Sequence, residues 1–437
     1  MLAGVEGVAY IWDGLDSKEI LPMARTDAIV LGAGIVGTSA ALHLAKRGLA
    51  VALVDRRGPG EETSYGNTGI IEGNTLFAHP FPKGFAALLR IALKQAPEAN
   101  YHLAALPQLA TWLLAYRTNT RGNRAMEFAE AMRPLYANAV AEHEALMVES
   151  GATRYLRKDG WLKLYRSDAS FAATARERDY ASELGMTQRA LSLDEARALE
   201  PSLAPVFSHA VHWPEAASVS NPLAVTKAYA AQFTKVGGVI LKGDAHTLHR
   251  NGSNWRVDTD EGPVDAKDAV VALGPWAPDL LGPLGVNLPL AVKRGYHRHY
   301  RSRGNAGLTR PIVDTDYGYC LAPMEQGIRL TTGAEFAGRD DAPTPVQIDR
   351  VLPAAQALYP LAEGIEAQPW MGSRPCFADS RPVIGRAPGQ PGLWLDYGHA
   401  HWGLTLGPVS GRLIAEMMVG AATFCDPAPY SAERFAH

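Results

Sequence analysis

Gly32, Gly34 and Gly37, followed by Asp55, are the residues of this chain whose types and spacing could most directly do chemistry. They stand in G-x-G-x-x-G order after an apolar run, Ala28 to Leu31, and ahead of a helical pattern from Ile35 to Arg47. That arrangement suits a phosphate. Gly32 allows a tight turn, Gly34 lets the backbone approach a pyrophosphate, and Gly37 lets the helix pack closely on the strand. Ala33, Ile35 and Val36 fill the gaps, where the first N–H groups of a helix point at an anion. A second apolar run, Val51 to Val54, ends on Asp55 with Arg56 beside it. An acid at that distance accepts hydrogen bonds from a ribose diol. The complete unit predicts a dinucleotide site on a Rossmann-like α/β fold.

Three further stretches share this glycine-rich, strand-ending texture. Ser64, Asn67, Thr68, Gly69 and Ile70 fall in a small polar run that cannot build core. It can lay amide and hydroxyl groups along a phosphate or a flavin ring. A strand expected from Asp268 to Leu273 carries Ala272 and runs into Gly274 and Trp276. Gly403, Leu404 and Thr405 precede a terminal helix expected over Val409 to Val419. A plain nicotinamide enzyme would need only the first stretch. Four together suggest an elongated cofactor that reaches a second domain.

The elements positioning these residues are legible at lower resolution. With 437 residues the chain has length for two or three domains and an ample core. A formal charge of −3 offers nothing to nucleic acid. Cys320, Cys376 and Cys425 are scattered, with no CxxC, which fits a reducing compartment and neither a disulfide framework nor a metal site. No run is long enough to span a membrane, and the N-terminus lacks the order of a signal peptide. The expected location is therefore cytoplasmic, with a peripheral seat on the inner face of the membrane left open. Phe85 to Tyr116 holds two apolar patches at helical spacing, which read as helices covering a core or, alternatively, as a membrane-surface contact. Helices are expected over 124–150, 170–184, 193–199 (opened by a Ser192–Glu195 capping box), 222–236 and 345–359, the last broken or kinked at Pro353. Strands at 288–300 and 318–332 predict an antiparallel sheet roofing a substrate site. His297 and His299 alternate with other polar residues, which reads as a solvated face. Residues 1–25 form an N-terminal extension outside this pattern.

The segments GAGIVG at 32–37, TSYGNTG at 63–69, ALGPW at 272–276, GSRPCFADSRPVIG at 372–385 and GHAHWGLTLGPVSGRLIAE at 398–416 together carry a resemblance. They resemble the amine-oxidising flavoprotein family of D-amino acid dehydrogenases, glycine and sarcosine oxidases and hydroxyproline dehydrogenases. The resemblance covers nearly the whole chain from Thr26 and is greatest to the D-amino acid dehydrogenase branch. It implies FAD in a two-domain, glutathione-reductase-type fold. The FAD-binding domain would be discontinuous (26–100, 209–287 and 370–437), with an α+β substrate domain from 101–208 and 288–369. The pyrophosphate would lie on Gly34–Gly37 and the ribose on Asp55. Ser64, Asn67, Thr68 and Gly69 would approach the isoalloxazine, and Gly403, Leu404 and Thr405 its pyrimidine edge.

The implied reaction is oxidation of a D-amino acid, by hydride transfer from Cα–H to flavin N5, to an imino acid that water converts to the 2-oxo acid. Positioning and electrostatics supply most of such catalysis. Arg374 matches the family position for the guanidinium that holds the substrate carboxylate, a task suited to a planar fork. Related oxidases carry a second arginine where His401 stands. Tyr296 and Tyr319, on the roof strands, could bond the carboxylate or close the pocket. Gly372 stands where sarcosine oxidases attach flavin through cysteine, so FAD is expected to be non-covalent. The alternatives are a cyclic secondary amine such as cis-4-hydroxy-D-proline, a glycine- or sarcosine-type amine, a flavoprotein without turnover, and an NAD(P)H-dependent flavin reductase. The last would need a second glycine fingerprint, which is absent. The acceptor is quinone or oxygen.

Overall fold

The computed structural model describes residues 26–75, 77–82 and 84–436. The expected 1–25 extension lies outside them.

The apolar runs that flank the glycine fingerprint are buried on both faces, as strands in the middle of a parallel sheet must be. Thr26–Leu31 pairs in parallel with Val51–Asp55 on one side and Gly262–Val271 on the other. Val239–Lys242 extends the sheet beyond Val51–Asp55, and Leu393–Tyr397 extends it beyond Ala269–Val271. A hairpin of His249–Asn251 and Asn254–Thr259 pairs antiparallel with the first half of Gly262–Val271. The helix Ile35–Lys46 is buried on almost every side. It is covered by a second helix, Gly403–Met418, whose Gly411 leaves no room for a methyl against Ser39 and Ala40.

That second helix begins six residues earlier than the sequence predicts, and so contains Pro408. Proline removes the N–H that would bond the carbonyl four residues back. The freed Leu404 carbonyl accepts instead from Nε2 of the buried His143, at 2.7 Å. The His143 Nδ1 then accepts from the Tyr229 hydroxyl, at 2.9 Å.

The second sheet has eleven strands, with the thirteen-residue strand Leu290–Ser302 near its middle. Trp370–Phe377 lies along one edge of that strand, and Gly327–Thr331 and Ala334–Phe336 lie along the other. Beyond these follow Tyr319–Met324, Ile312–Asp314, Trp161–Tyr165, His209–Trp213 and Arg189–Ser192. The expected antiparallel roof is present, with two parallel joins: 312–314 on 161–165, and 334–336 on 99–101. Strands 209–213 and 370–377, assigned by sequence to the FAD-binding domain, pair in this second sheet. The 28-residue helix Asn123–Ser150, assigned to the substrate domain, shares a core cluster with the helices of the first.

Other expectations change. The 170–184 helix is two short ones, Asp168–Ala172 and Ala175–Glu183, whereas the Ser192–Glu195 capping box forms as read. Val346–Leu358 runs through Pro353 as one helix. Phe85–Ala92 covers no core: it has no buried residue, and Phe85 is 80% exposed. The next helix, Leu106–Asn119, does bury Trp112 and Tyr116. His297 and His299 are not solvated but buried, because their strand lies inside a sheet covered on both faces.

Candidate functional site

A cavity of about 950 Å³ is walled by residues of both sheets. It touches all four glycine-rich stretches: Gly32 to Val36, Ser64 to Ile70, Ala272 to Trp276, and Gly398 to Leu404.

The fingerprint forms a cradle without side chains. Gly32 has φ +101°, and a Cβ there would lie 2.7 Å from the Ala272 carbonyl oxygen. Gly37 packs on the Gly32 carbonyl, where a Cβ would overlap it at 1.9 Å. The N-cap is Gly34, with no side-chain cap and no acid in the first turn. The positive end of the helix is thus left for an anion. Ser64 Oγ accepts from the Ile35 amide at 2.9 Å and ties the second stretch to the first. Asp55 accepts from the Ala33 amide at 2.6 Å and the Arg57 amide at 2.9 Å. Each of its oxygens keeps a lone pair for a ribose hydroxyl. Burial, ahead of these opposing hydrogen bonds, pushes its carboxyl upward. Arg56 lies over the Trp276 ring, 4.8 Å from its centroid. An exposed backbone, an open helix N-terminus and an acid at the following strand end fit the AMP and pyrophosphate portions of FAD.

The polar loop is fixed from behind. Asn67 Nδ2 donates to the His401 carbonyl at 3.2 Å, and its Oδ1 accepts from the Gly69 amide at 2.8 Å. Arg329 Nη1 donates to the Tyr65 and Asn67 carbonyls at 2.8 and 2.5 Å, while its Nε bonds His299 Nε2 at 3.0 Å. Burial pulls this guanidinium down to about 10. Thr68 and Ile70 face the cavity. Thr405 lies behind the wall, where its hydroxyl bonds the Ile70 carbonyl and the Glu72 amide.

Arg374 reaches the cavity from Trp370–Phe377. Its Nη1 donates to the Gly333 carbonyl at 2.9 Å and its Nη2 to the Thr332 carbonyl at 3.2 Å. No carboxylate pairs with it among the described residues. Burial lowers its pKa, but a guanidinium stays charged at any working pH. His401 stands nearby, stacked on His79 with ring centroids 4.7 Å apart. Burial first, then His79, Arg374 and Lys293, hold His401 well below the usual imidazole range. Burial first, then Lys293, Lys163 and Arg374, bring His79 down to about 4. Both rings are neutral at pH 7.

The two tyrosines are placed otherwise. Alternation along Leu290–Ser302 sets Gly295 on the face where Arg374 lies and Tyr296 on the opposite one. The Tyr296 hydroxyl donates to Glu335 at 2.6 Å and accepts from the Thr344 amide at 2.8 Å. The Tyr319 hydroxyl belongs to a network with Arg166 and the Ala354 carbonyl, at 3.3 and 3.4 Å. Both residues border the cavity, but their hydroxyls are engaged on the far side of the sheet. The sequence reading missed His79, Lys293 and Arg329. Only the pairing register of the strands could have placed the two cations, and His79 lies in a loop with no motif.

The sequence profile of the FAD dependent oxidoreductase family matches residues 27–417. The chain is 28% identical to a D-amino-acid oxidase of Bradyrhizobium diazoefficiens over 423 residues, 95% of this chain and 100% of the relative. It is 30% identical to D-amino acid dehydrogenase 2 of Ralstonia nicotianae, over 93% of this chain and 99% of the relative. Glycine oxidase of Geobacillus kaustophilus has a similar structure, with a TM-score of 0.73 at 22% identity, covering 94% of this chain and 99% of that one. No helix among the described residues is long and apolar enough to cross a membrane. Together with the glycine cradle, the profile shows that the chain belongs to the family of FAD-dependent oxidoreductases and that FAD is its cofactor.

Proposed function

We propose that this enzyme oxidises a D-amino acid to the imino acid, which water converts to the 2-oxo acid and ammonia. The observation that carries the reading is Arg374: a cavity-facing guanidinium, oriented by two carbonyls and lacking an acidic partner among the described residues. A substrate carboxylate supplies the missing charge in a charge-assisted pair. Bound FAD supplies the two-electron acceptor. Around it, this chain positions the substrate. The neutral His79 and His401 rings can accept a hydrogen bond from an uncharged amine without adding charge. Non-covalent attachment is favoured by Gly372 and by the burial of Cys376, whose Sγ lies against the Arg374 carbonyl.

The D configuration is supported by the names of the two relatives above. Cyclic secondary amines and glycine-type amines remain rivals within the same chemistry. Incubation of the FAD-loaded enzyme with paired D and L enantiomers, followed by oxo-acid and ammonia assay, tests the reading. Equal amounts of both products from D substrates are expected; turnover of L enantiomers alone would contradict it. The exposed apolar helix Phe85–Ala92, which sends Leu88 and Ile91 to the cavity wall, favours an acceptor in a lipid surface, namely quinone. Faster turnover with oxygen than with quinone analogues would reverse that preference.

A further inference from the structure

Lys293 and Arg374 are direct cross-strand partners, so their side chains leave the same face of the sheet and enter the same cavity. They then diverge. Arg374 turns across Gly295 toward the Thr332 and Gly333 carbonyls. Lys293 turns into a box of aromatic faces, with its ammonium 3.8 Å from the Tyr116 centroid, 5.1 Å from Trp112 and 6.0 Å from Phe336.

The box is rigid. Trp112 Nε1 donates to the Cys376 carbonyl at 3.1 Å, and the Tyr116 hydroxyl donates to the His79 carbonyl. Aromatic faces hold an ammonium by cation–π attraction but do not cancel its charge. No ion pair with either cation is present among the described residues. Of the acids on the cavity wall, Glu177 pairs with Lys163 and Glu72 accepts from Thr75 and Trp402, and none pairs with Lys293 or Arg374. Two cations therefore face one cavity with no carboxylate bonded to either among the described residues, beside two imidazoles that are themselves neutral.

One substrate carboxylate satisfies only one of them. We propose that the substrate carries two carboxylates, as an acidic α-amino acid or an imino diacid does. Arg374 holds the α-carboxylate and Lys293, missed by the sequence reading, selects the second. The fixed divergence of the two cations makes the pair a ruler for the spacing between two acids. This inference rests on the amine-oxidation reading above.

The test has two arms on the FAD-loaded enzyme. In turnover, D-aspartate and D-glutamate should exceed D-alanine and D-leucine in kcat/KM. Lys293→Met should cut that ratio by about 10- to 100-fold, the range between a rim pair and a buried charge-assisted one. Lys293→Arg, which keeps the charge, should recover most of it. In the binding arm, titration of the flavin absorbance compares glutarate with butyrate, neither of which can be oxidised as an amine. Glutarate should bind more tightly, and Lys293→Met should erase the difference. If flavin content falls in Lys293→Met, Lys293→Gln takes its place. A wild-type preference for neutral amino acids, or equal losses on both members of each comparison, would overturn the proposal. If no amino acid turns over yet glutarate retains its Lys293-dependent advantage, the amine-oxidation reading fails while the dicarboxylate site stands.

Discussion

Gly295→Ala perturbs the Arg374 clamp without touching it. A Cβ built on Gly295 falls 2.2 Å from Arg374 Nη2 and 2.6 Å from its Cζ. Ordinary contact requires about 3.5 Å, so the guanidinium must retreat by about 1 Å. It is the mobile end of a long side chain, and Gly295 is not among the glycines with positive φ. The substitution should therefore leave folding and FAD content near wild type. The retreat breaks the bonds to the Gly333 and Thr332 carbonyls that aim the fork. A misplacement of this size costs about a hundredfold in rate. Steady-state kcat/KM on the best amino acid should fall by that order, with flavin content and melting temperature as controls. In an Arg374→Ala background, Gly295→Ala should add almost nothing, since both changes act through one group. Wild-type kcat/KM in Gly295→Ala, or an undiminished further loss in the double variant, would refute the reasoning.

Arg374→Ala should lower kcat/KM by about 30-fold to several thousandfold, from about 2–5 kcal/mol for a carboxylate left buried and unpaired. Arg374→Lys should recover only part, because an ammonium cannot form the fork; kinetics with an unchanged flavin spectrum check both. Gly34→Val should abolish FAD binding, since even a Cβ there reaches Ser64 Oγ at 3.3 Å and a branched side chain would fill the anion cradle; flavin content of the purified variant reads this. Stability should fall as pH drops. Burial holds His143 at about 4 and His297 at about 2, so from the unfolded value near 6.5 down to about 4 the unfolded chain binds more protons at both positions. The two contribute fully above 6.5 and together lose about 2–3 kcal/mol per pH unit below it. Urea melts from pH 7.5 to 5 measure the slope, from which His143→Gln should remove its single-group share of about 1.4 kcal/mol per pH unit.

Local signals in the sequence carried the cofactor half of the site. The glycine cradle, the Asp55 terminus and the Ser192 capping box each depend on residues within one βαβ unit or one helical turn, and each forms as read. Long-range partners decided what was missed. The sequence places the terminal helix from Val409, whereas it begins at Gly403, because the Leu404 carbonyl that Pro408 leaves without a donor is capped by His143, 261 residues away in sequence. The polar run KRGYHRHY read as half-solvated. Yet its strand is flanked by Trp370–Phe377 and Gly327–Thr331, which buries His297 and His299 and turns Tyr296 to the far face. The same register makes Lys293 a neighbour of Arg374, and nothing in the spacing of those two positions announces it.

Anaerobic mixing of the FAD-loaded enzyme with single amino acids, followed by the flavin absorbance, tests the central claim most directly. D-amino acids should bleach the oxidised spectrum in one turnover, and Arg374→Ala should slow that bleaching by the factor it takes from kcat/KM. Bleaching by no amino acid, or bleaching equally fast in Arg374→Ala, would contradict the account.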